Sequence, residues 1–232
     1  MTAQVFLASR NAKKLVELRR ILAPHVPGVE VLGLDDVEPY GEPAETEPTF
    51  EGNALIKGRA GVAATGLTTL ADDSGICVDE LNGMPGVLSA RWSGVRGEAA
   101  AQANNRLLLA QLEDVPDGRR HGEFRCAVVC CVPGGDEYLE IGVMRGWVLR
   151  APRGQGGFGY DPIFAADGYA VSTAELPAEE KDAISHRGKA LRLITPAVAA
   201  ALAATSGRRP GKDAPLRADD GTRTRTPEGT GT

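Results

Sequence analysis

No window of this 232-residue chain approaches the about 18 uninterrupted apolar residues that a membrane span needs. The opening MTAQVFLASRNAKK has neither a basic n-region nor a small-residue cleavage site, so no secretory signal is read and the cytoplasm is the expected address. Cysteine is scarce and wrongly spaced for a metal. Cys77 stands alone, while Cys126, Cys130 and Cys131 lie in the apolar run FRCAVVCCV, where a free thiol behaves as a small buried hydrophobe. An excess of positive charge is missing too. The formal net charge is −5, and before Ser206 the chain carries 20 Lys/Arg against 27 Asp/Glu. That balance excludes a general nucleic-acid-binding face. A polyanionic ligand must then be held by individually placed cations against an unfavourable mean field.

What is present is a body of residues 1–205 followed by a tail, 206–232. The tail has no aromatic and only Leu216 as a large aliphatic, so it cannot bury enough surface to offset its ordering entropy and is expected to be disordered. Within the body, Val5–Ala8 reads as a strand. A helix follows from Asn11 to about Ala23, with Leu15, Leu18 and Leu22 at helical spacing. Further helices are expected over Thr49–Ala64, Glu98–Leu112 and from near Ser185 to about Ala204, the last with a kink at Pro196. Leu67–Ala71 is a strand expected to break at Asp72–Gly75 before Ile76–Leu81 resumes. Glu123–Val132 and Glu137–Arg150 flank Pro133-Gly134-Gly135 as a hairpin. Mixed strands and helices with one antiparallel hairpin predict an α/β fold with a mixed sheet.

Four places suit chemistry better than packing. Between the first strand and helix, Ser9-Arg10-Asn11-Ala12-Lys13-Lys14 offers an N-cap and then cations, the wrong sign for the positive end of a helix dipole. Free N–H groups beside clustered cations make an anion site, although the glycines of a P-loop are missing. A second such start occurs at Ser185-His186-Arg187, with Lys181 just before, and the pair suggests one polyanion bound between them. Arg187 could instead pair with Glu179 or Glu180.

Asp72-Asp73-Ser74-Gly75 places two carboxylates at the end of an apolar strand. Such hard oxygen ligands hold Mg²⁺, and a carboxylate beside a metal can activate water. Glu45 and Glu47, in the loop AETEP, could complete the metal shell, and Lys57 is a cation on an otherwise apolar stripe, suited to a buried or substrate anion. In the glycine-rich loop Arg153–Asp161, Phe158 is flanked by glycines and can stack on a base. Asp161 could accept from a base edge or order the loop.

In chain order, VFLASRNAKKLVEL, TFEGNALIKGRA, LADDSGICVDELNGMPGVLSARWSG, GGFGYDPIF and EEKDAISHRGKAL together resemble the non-canonical purine NTP pyrophosphatases, or inosine/xanthosine triphosphate diphosphatases, over about residues 4–204. The resemblance implies an elongated central mixed sheet with flanking helices, two lobes around an active-site cleft, and a homodimer. It implies Mg²⁺-dependent hydrolysis of dITP/ITP and XTP to monophosphate and pyrophosphate. Ser9, Arg10, Asn11, Ala12, Lys13 and Lys14 would cradle the triphosphate with Lys57. Asp73 would be the general base and, with Glu45, a metal carboxylate. Ser74 would contact substrate, Phe158, Gly159, Tyr160 and Asp161 would line the base pocket, and Lys181, His186 and Arg187 would close over base and phosphates. Many members have Thr-Gly where this chain has Ser9-Arg10. Other readings are a related pyrophosphatase for modified or pyrimidine nucleotides, a phosphatase releasing orthophosphate, and a non-catalytic nucleotide-binding module. The last leaves Asp72-Asp73 without a purpose.

Overall fold

The computed structural model describes residues 3–207. The elements, in chain order, are β1 (Gln4–Leu7), α1 (Ala12–Leu22), β2 (Glu30–Leu32), α2 (Phe50–Thr65), β3 (Thr69–Val78), α3 (Ala100–Gln111), β4 (His121–Cys131), β5 (Glu137–Val148), β6 (Phe164–Ala166), α4 (Ala178–Ile184) and α5 (His186–Gly207). They build one six-stranded sheet in the order β2-β1-β3-β4-β5-β6. β1 is parallel to β2 and β3, and the remaining neighbours are antiparallel, so the expected mixed α/β sheet is observed.

Three apolar clusters organise the packing. α1 and α5 cover one face of β1, β3 and β4 through Leu18, Leu22, Ile194 and Val198, against Val5, Leu70 and Val128. Each such side chain contributes about 1.5–3 kcal/mol when fully buried. α2 covers the other face through Phe50 and Ala54 against Phe6, Ala71 and Val129. α2 begins at Thr49, whose side chain accepts from Gly52 N, and ends at Gly66 with φ of 67°. A third cluster joins the far halves of β3, β4 and β5 to β6 and α3 through Ile76, Val78, Phe124, Met144, Phe164 and Leu108. β3 therefore passes from one lobe into the other, and Asp72–Gly75, the stretch between, belongs to none of these cores.

The structure corrects the expected break in β3. Asp72–Gly75 pair in unbroken antiparallel register with Val128–Arg125 of β4. Adjacent polar residues read as a turn, but strand alternation sends them to opposite faces, where each finds partners. β2 and β6, three residues each, are too short to show a period. α4 also lies outside the expected elements, preceding the last helix. That helix continues through Pro196 to Gly207. The expected disordered tail falls, from residue 208 on, outside the described residues.

All four cysteines are free thiols, and those of β4 are buried in the core as expected. Where α5 starts, it lies directly on β5 at Gly142. A Cβ there would meet Ala190 N at 2.6 Å and press harder still on the His186 carbonyl oxygen. Gly142→Ala is therefore expected to cost about 1–3 kcal/mol and to displace the helix start carrying His186 and Arg187. Thermal denaturation checks this, and wild-type stability would show that α5 has room to yield.

Candidate active site

β1 stops pairing with β3 at Leu7–Leu70, and the last ladder bond runs from Ala8 N to Leu70 O. Beyond that point no strand pairs with this edge of β3 until Ile76, whose N donates to Ser89 Oγ, and a cleft of about 580 Å³ opens along the stretch between, a size suited to a small ligand. It lies past the C-terminal end of a parallel strand, where α/β sheets generally bind ligands. Because the edge is open, side chains from both faces of β3 reach the cleft.

On one face, α1 starts at Asn11, whose side chain accepts from Lys13 N at 3.0 Å, and its first turn holds no acid. Lys14 donates to Asp72 Oδ2 at 2.7 Å. Arg187 enters from α5, donating to Asp72 Oδ2 at 3.2 Å, Glu17 Oε2 at 2.8 Å and Ser74 Oγ at 2.9 Å. The two cationic helix starts thus converge, as the sequence suggested, and Arg187 pairs with Asp72 and Glu17 rather than Glu179 or Glu180. Ser185 caps the start of α5, accepting from Gly188 N at 2.9 Å. Asp72 is buried, yet Lys14, Arg187 and Lys57 outweigh the burial and hold its carboxyl far below the usual range. Asp72 does not line the cleft, so it serves as a counter-ion beneath the floor.

On the other face, Asp73 lines the cleft. It accepts from Asn53 Nδ2 at 3.2 Å, its Oδ1 lies 3.5 Å from Lys57 Nζ, and Lys57 also donates to Glu45 Oε1 at 2.6 Å. Burial, reinforced by Glu45, pushes the Asp73 carboxyl up against the pull of Lys57. Burial disfavours the Lys57 charge, but Asp73, Asp72 and Glu45 prevail and hold it above an ordinary lysine. Glu45 is itself buried enough to resist ionising, and Lys57 and Arg91 hold it down nonetheless.

Glu45 and Asp73 therefore share one ammonium at the cleft wall. Among the described residues no group of three or more His, Cys, Asp or Glu could hold a metal. Two carboxylates with room for phosphate oxygens suit Mg²⁺, which takes one or two carboxylates and keeps waters and substrate phosphates. The donor set fits that ion.

At the far end lies the glycine-rich loop. Phe158 is half-buried, with Lys181 Nζ and the Arg187 guanidinium 5.4 and 5.3 Å from its ring centroid. Asp161 orders the loop: it is buried and accepts from Phe158 N at 2.7 Å, Thr173 Oγ1 at 2.9 Å and Lys181 Nζ at 2.5 Å. Tyr160 donates to Ser89 O at 2.8 Å. His186 stacks on Phe124, 4.9 Å between centroids, and burial together with Arg187 and Lys181 keeps its pKa well below the ordinary value.

Of the residues singled out from the sequence, Ser9, Arg10, Asn11, Lys14, Glu45, Lys57, Asp73, Ser74, Phe158, Gly159, Tyr160, Asp161, Lys181, His186 and Arg187 all line this cleft. Ala12 and Lys13 do not. Arg10 is mostly exposed and pairs with Glu42, a cleft residue that no sequence signal marks. Glu17, Asn53 and Phe124 were also missed. Glu17 could have been noticed as an acid in the buried stripe with Leu18 and Ile21, and Asn53 as sitting one turn before Lys57. Phe124 carried no signal.

Comparison with known proteins identifies relatives of this chain. Residues 5–197 match the Ham1 family. The chain is 60% identical to the dITP/XTP pyrophosphatase of Nocardia farcinica, over 85% of this chain and 96% of that protein. It is 55% identical to the Corynebacterium glutamicum protein of the same name, over 87% of this chain and 100% of that one. Its structure is similar to the crystal structure of the nucleoside-triphosphatase / dITP/XTP pyrophosphatase from Mycobacterium abscessus, at TM-score 0.68 and 53% identity over 83% of this chain and 99% of that one. It is similar also to the Ham1 protein of Staphylococcus aureus, at TM-score 0.73 and 34% identity over 84% and 97% of the two chains. With a match over residues 5–197, which takes in every residue lining the cleft, this chain belongs to the Ham1 family.

Proposed function

We propose that this chain hydrolyses dITP/ITP and XTP between the α- and β-phosphates, releasing the monophosphate and pyrophosphate and so clearing deaminated purines from the nucleotide pool. The observation that carries the reading is Asp73, a carboxylate raised by burial on a cleft wall opposite the cationic helix starts. The names borne by the relatives support the same reaction.

Asp73 orients the attacking water and takes its proton, its carboxylate held in place by Asn53. The N-terminus of α1 with Lys14, and Lys57, stabilise charge on the pyrophosphate as it leaves, while Lys181, paired with Asp161 beside Phe158, serves the base end. Catalysis of this kind is mainly positioning and electrostatics. Glu45 and Asp73 would hold Mg²⁺, which would supply positive charge to offset that of the phosphates.

Phe158 supplies a stacking face for the base, with Tyr160 and Asp161 fixing its loop. His186 and Arg187 are the donors for a 6-keto oxygen. A 6-amino purine would deny His186 that acceptor, while Arg187 keeps Asp72, Glu17 and Ser74, and a mismatch of this kind can discriminate by up to about 10⁴–10⁵. Residues 1–205 form the hydrolase domain, acting as a cytoplasmic homodimer.

Product-resolved hydrolysis with Mg²⁺ tests the proposal. Pyrophosphate from dITP and XTP, with dATP turned over at least about a hundredfold more slowly and dGTP, which also carries a 6-keto oxygen, run beside them, is the expected result. Orthophosphate as the product, or equal turnover of all four, would show the reaction or the base reading to be wrong.

A further inference from the structure

Lys13 and Lys14 are neighbours in sequence but not in role. One residue along an α-helix turns the side chain by about 100°, so the two amines leave α1 in different directions. Lys14 lines the cleft and reaches Asp72. The exposed Lys13 reaches across to the base-facing loop, donating to the Gly157 carbonyl at 2.9 Å. Gly157 has φ of +68°, and a Cβ there would press into the Asp161 carboxylate and come within 2.7 Å of Lys181 Nζ, so the direction of its carbonyl is tightly determined. Among the described residues, the other side-chain hydrogen bonds joining 157–161 to the rest of the chain run to Ser89, Asn105, Thr173 and Lys181. Lys13 is the one that comes from α1, the helix whose N-terminus faces the cleft.

We propose that Lys13 is a positioning residue, which ties the loop carrying Phe158 to the start of α1 and does not itself contact the phosphates. The proposal deepens the reading of the cleft as a dITP/XTP site and rests on it for its kinetic consequence, though not for the tether itself. Through the Gly157 carbonyl, Lys13 sets the distance between the base platform and the phosphate end. A nucleotide, which spans both ends, gains from that spacing. A bare polyphosphate, which occupies one end, does not.

Hydrogen exchange and inhibition kinetics together test this. In Lys13→Met, amides of residues 156–161 are expected to exchange about tenfold faster, as for a segment that has lost one charge-assisted hydrogen bond, and Lys13→Arg should restore protection. Unchanged exchange in Lys13→Met would overturn the tether whatever the substrate is. KM for dITP should rise about tenfold in Lys13→Met, while the inhibition constant of inorganic tripolyphosphate stays within about twofold. The double variant with Phe158→Ala should be no worse than Phe158→Ala alone, because Lys13 acts through that loop. If tripolyphosphate inhibition weakens as much as KM rises, Lys13 is a phosphate ligand and the proposal fails. A wild-type protein that leaves dITP intact while Lys13→Met still loosens the loop would instead uphold the tether and remove the assigned substrate.

Discussion

Replacing Asp73 by Asn is expected to lower kcat for dITP by a factor of about 10³–10⁴ while leaving the fold as stable as before. The amide keeps the volume of the carboxylate, and its single oxygen can still accept from either Asn53 Nδ2 or Ser74 N, which lie 3.2 and 3.1 Å from different carboxylate oxygens, so one accepted bond is given up while the buried charge is relieved. What it cannot do is take a proton from water or offer a charged oxygen to a cation. Stability should not suffer, because the charge on Asp73 is already disfavoured by burial and by Glu45, as its raised pKa records. Steady-state kinetics beside a thermal melt reads both quantities. A variant retaining most of the wild-type rate would remove Asp73 from the chemistry, and one that fails to fold would make it a structural residue.

The neighbouring Asp72→Ala should behave in the opposite way, as a stability defect of about 3–5 kcal/mol. Asp72 Oδ2 receives both Lys14 at 2.7 Å and Arg187 at 3.2 Å, and the Arg187 side chain is only 4% exposed, so removing the carboxylate leaves buried positive charge short of a partner. For a domain of this size the loss corresponds to roughly 6–20 °C in Tm. The pH dependence follows from the depressed carboxyl of Asp72. Its contribution is fully present above the unfolded-state value near 3.9 and is lost only as pH falls through the much lower folded value. The gap in Tm between wild type and variant should therefore persist from pH 7 down to about pH 4. A gap that closes by pH 5, or a variant as stable as wild type, would mean that Glu17 alone neutralises Arg187.

These two adjacent residues also mark how far the sequence could be read. Asp72-Asp73 after an apolar strand announces chemistry by residue type, and the cationic helix starts at Lys13-Lys14 and His186-Arg187 do so by having the wrong sign for their position. α1, α2, α3 and the β4–β5 hairpin were legible because they are long enough to show a period or a turn signal. β2 and β6 were not, since three residues carry no periodicity, and their pairing is decided by the neighbouring strand. The division of labour between Asp72 and Asp73 was equally hidden, because it depends on which helix covers which face of β3. Glu17 and Asn53 look unexceptional until Arg187 and Asp73 arrive from distant parts of the chain.

By itself, then, the sequence determined the mixed α/β class, the order of the motifs and the residue types able to hold a triphosphate, a metal and a base. Those follow from side-chain chemistry and local spacing. Only the tertiary structure decided that β3 runs unbroken between two lobes, that its free edge is the cleft, and that Asp72 is a counter-ion while Asp73 faces the solvent of the site. Strand alternation and the end of β1 set those outcomes, and both are relations between segments far apart in the chain.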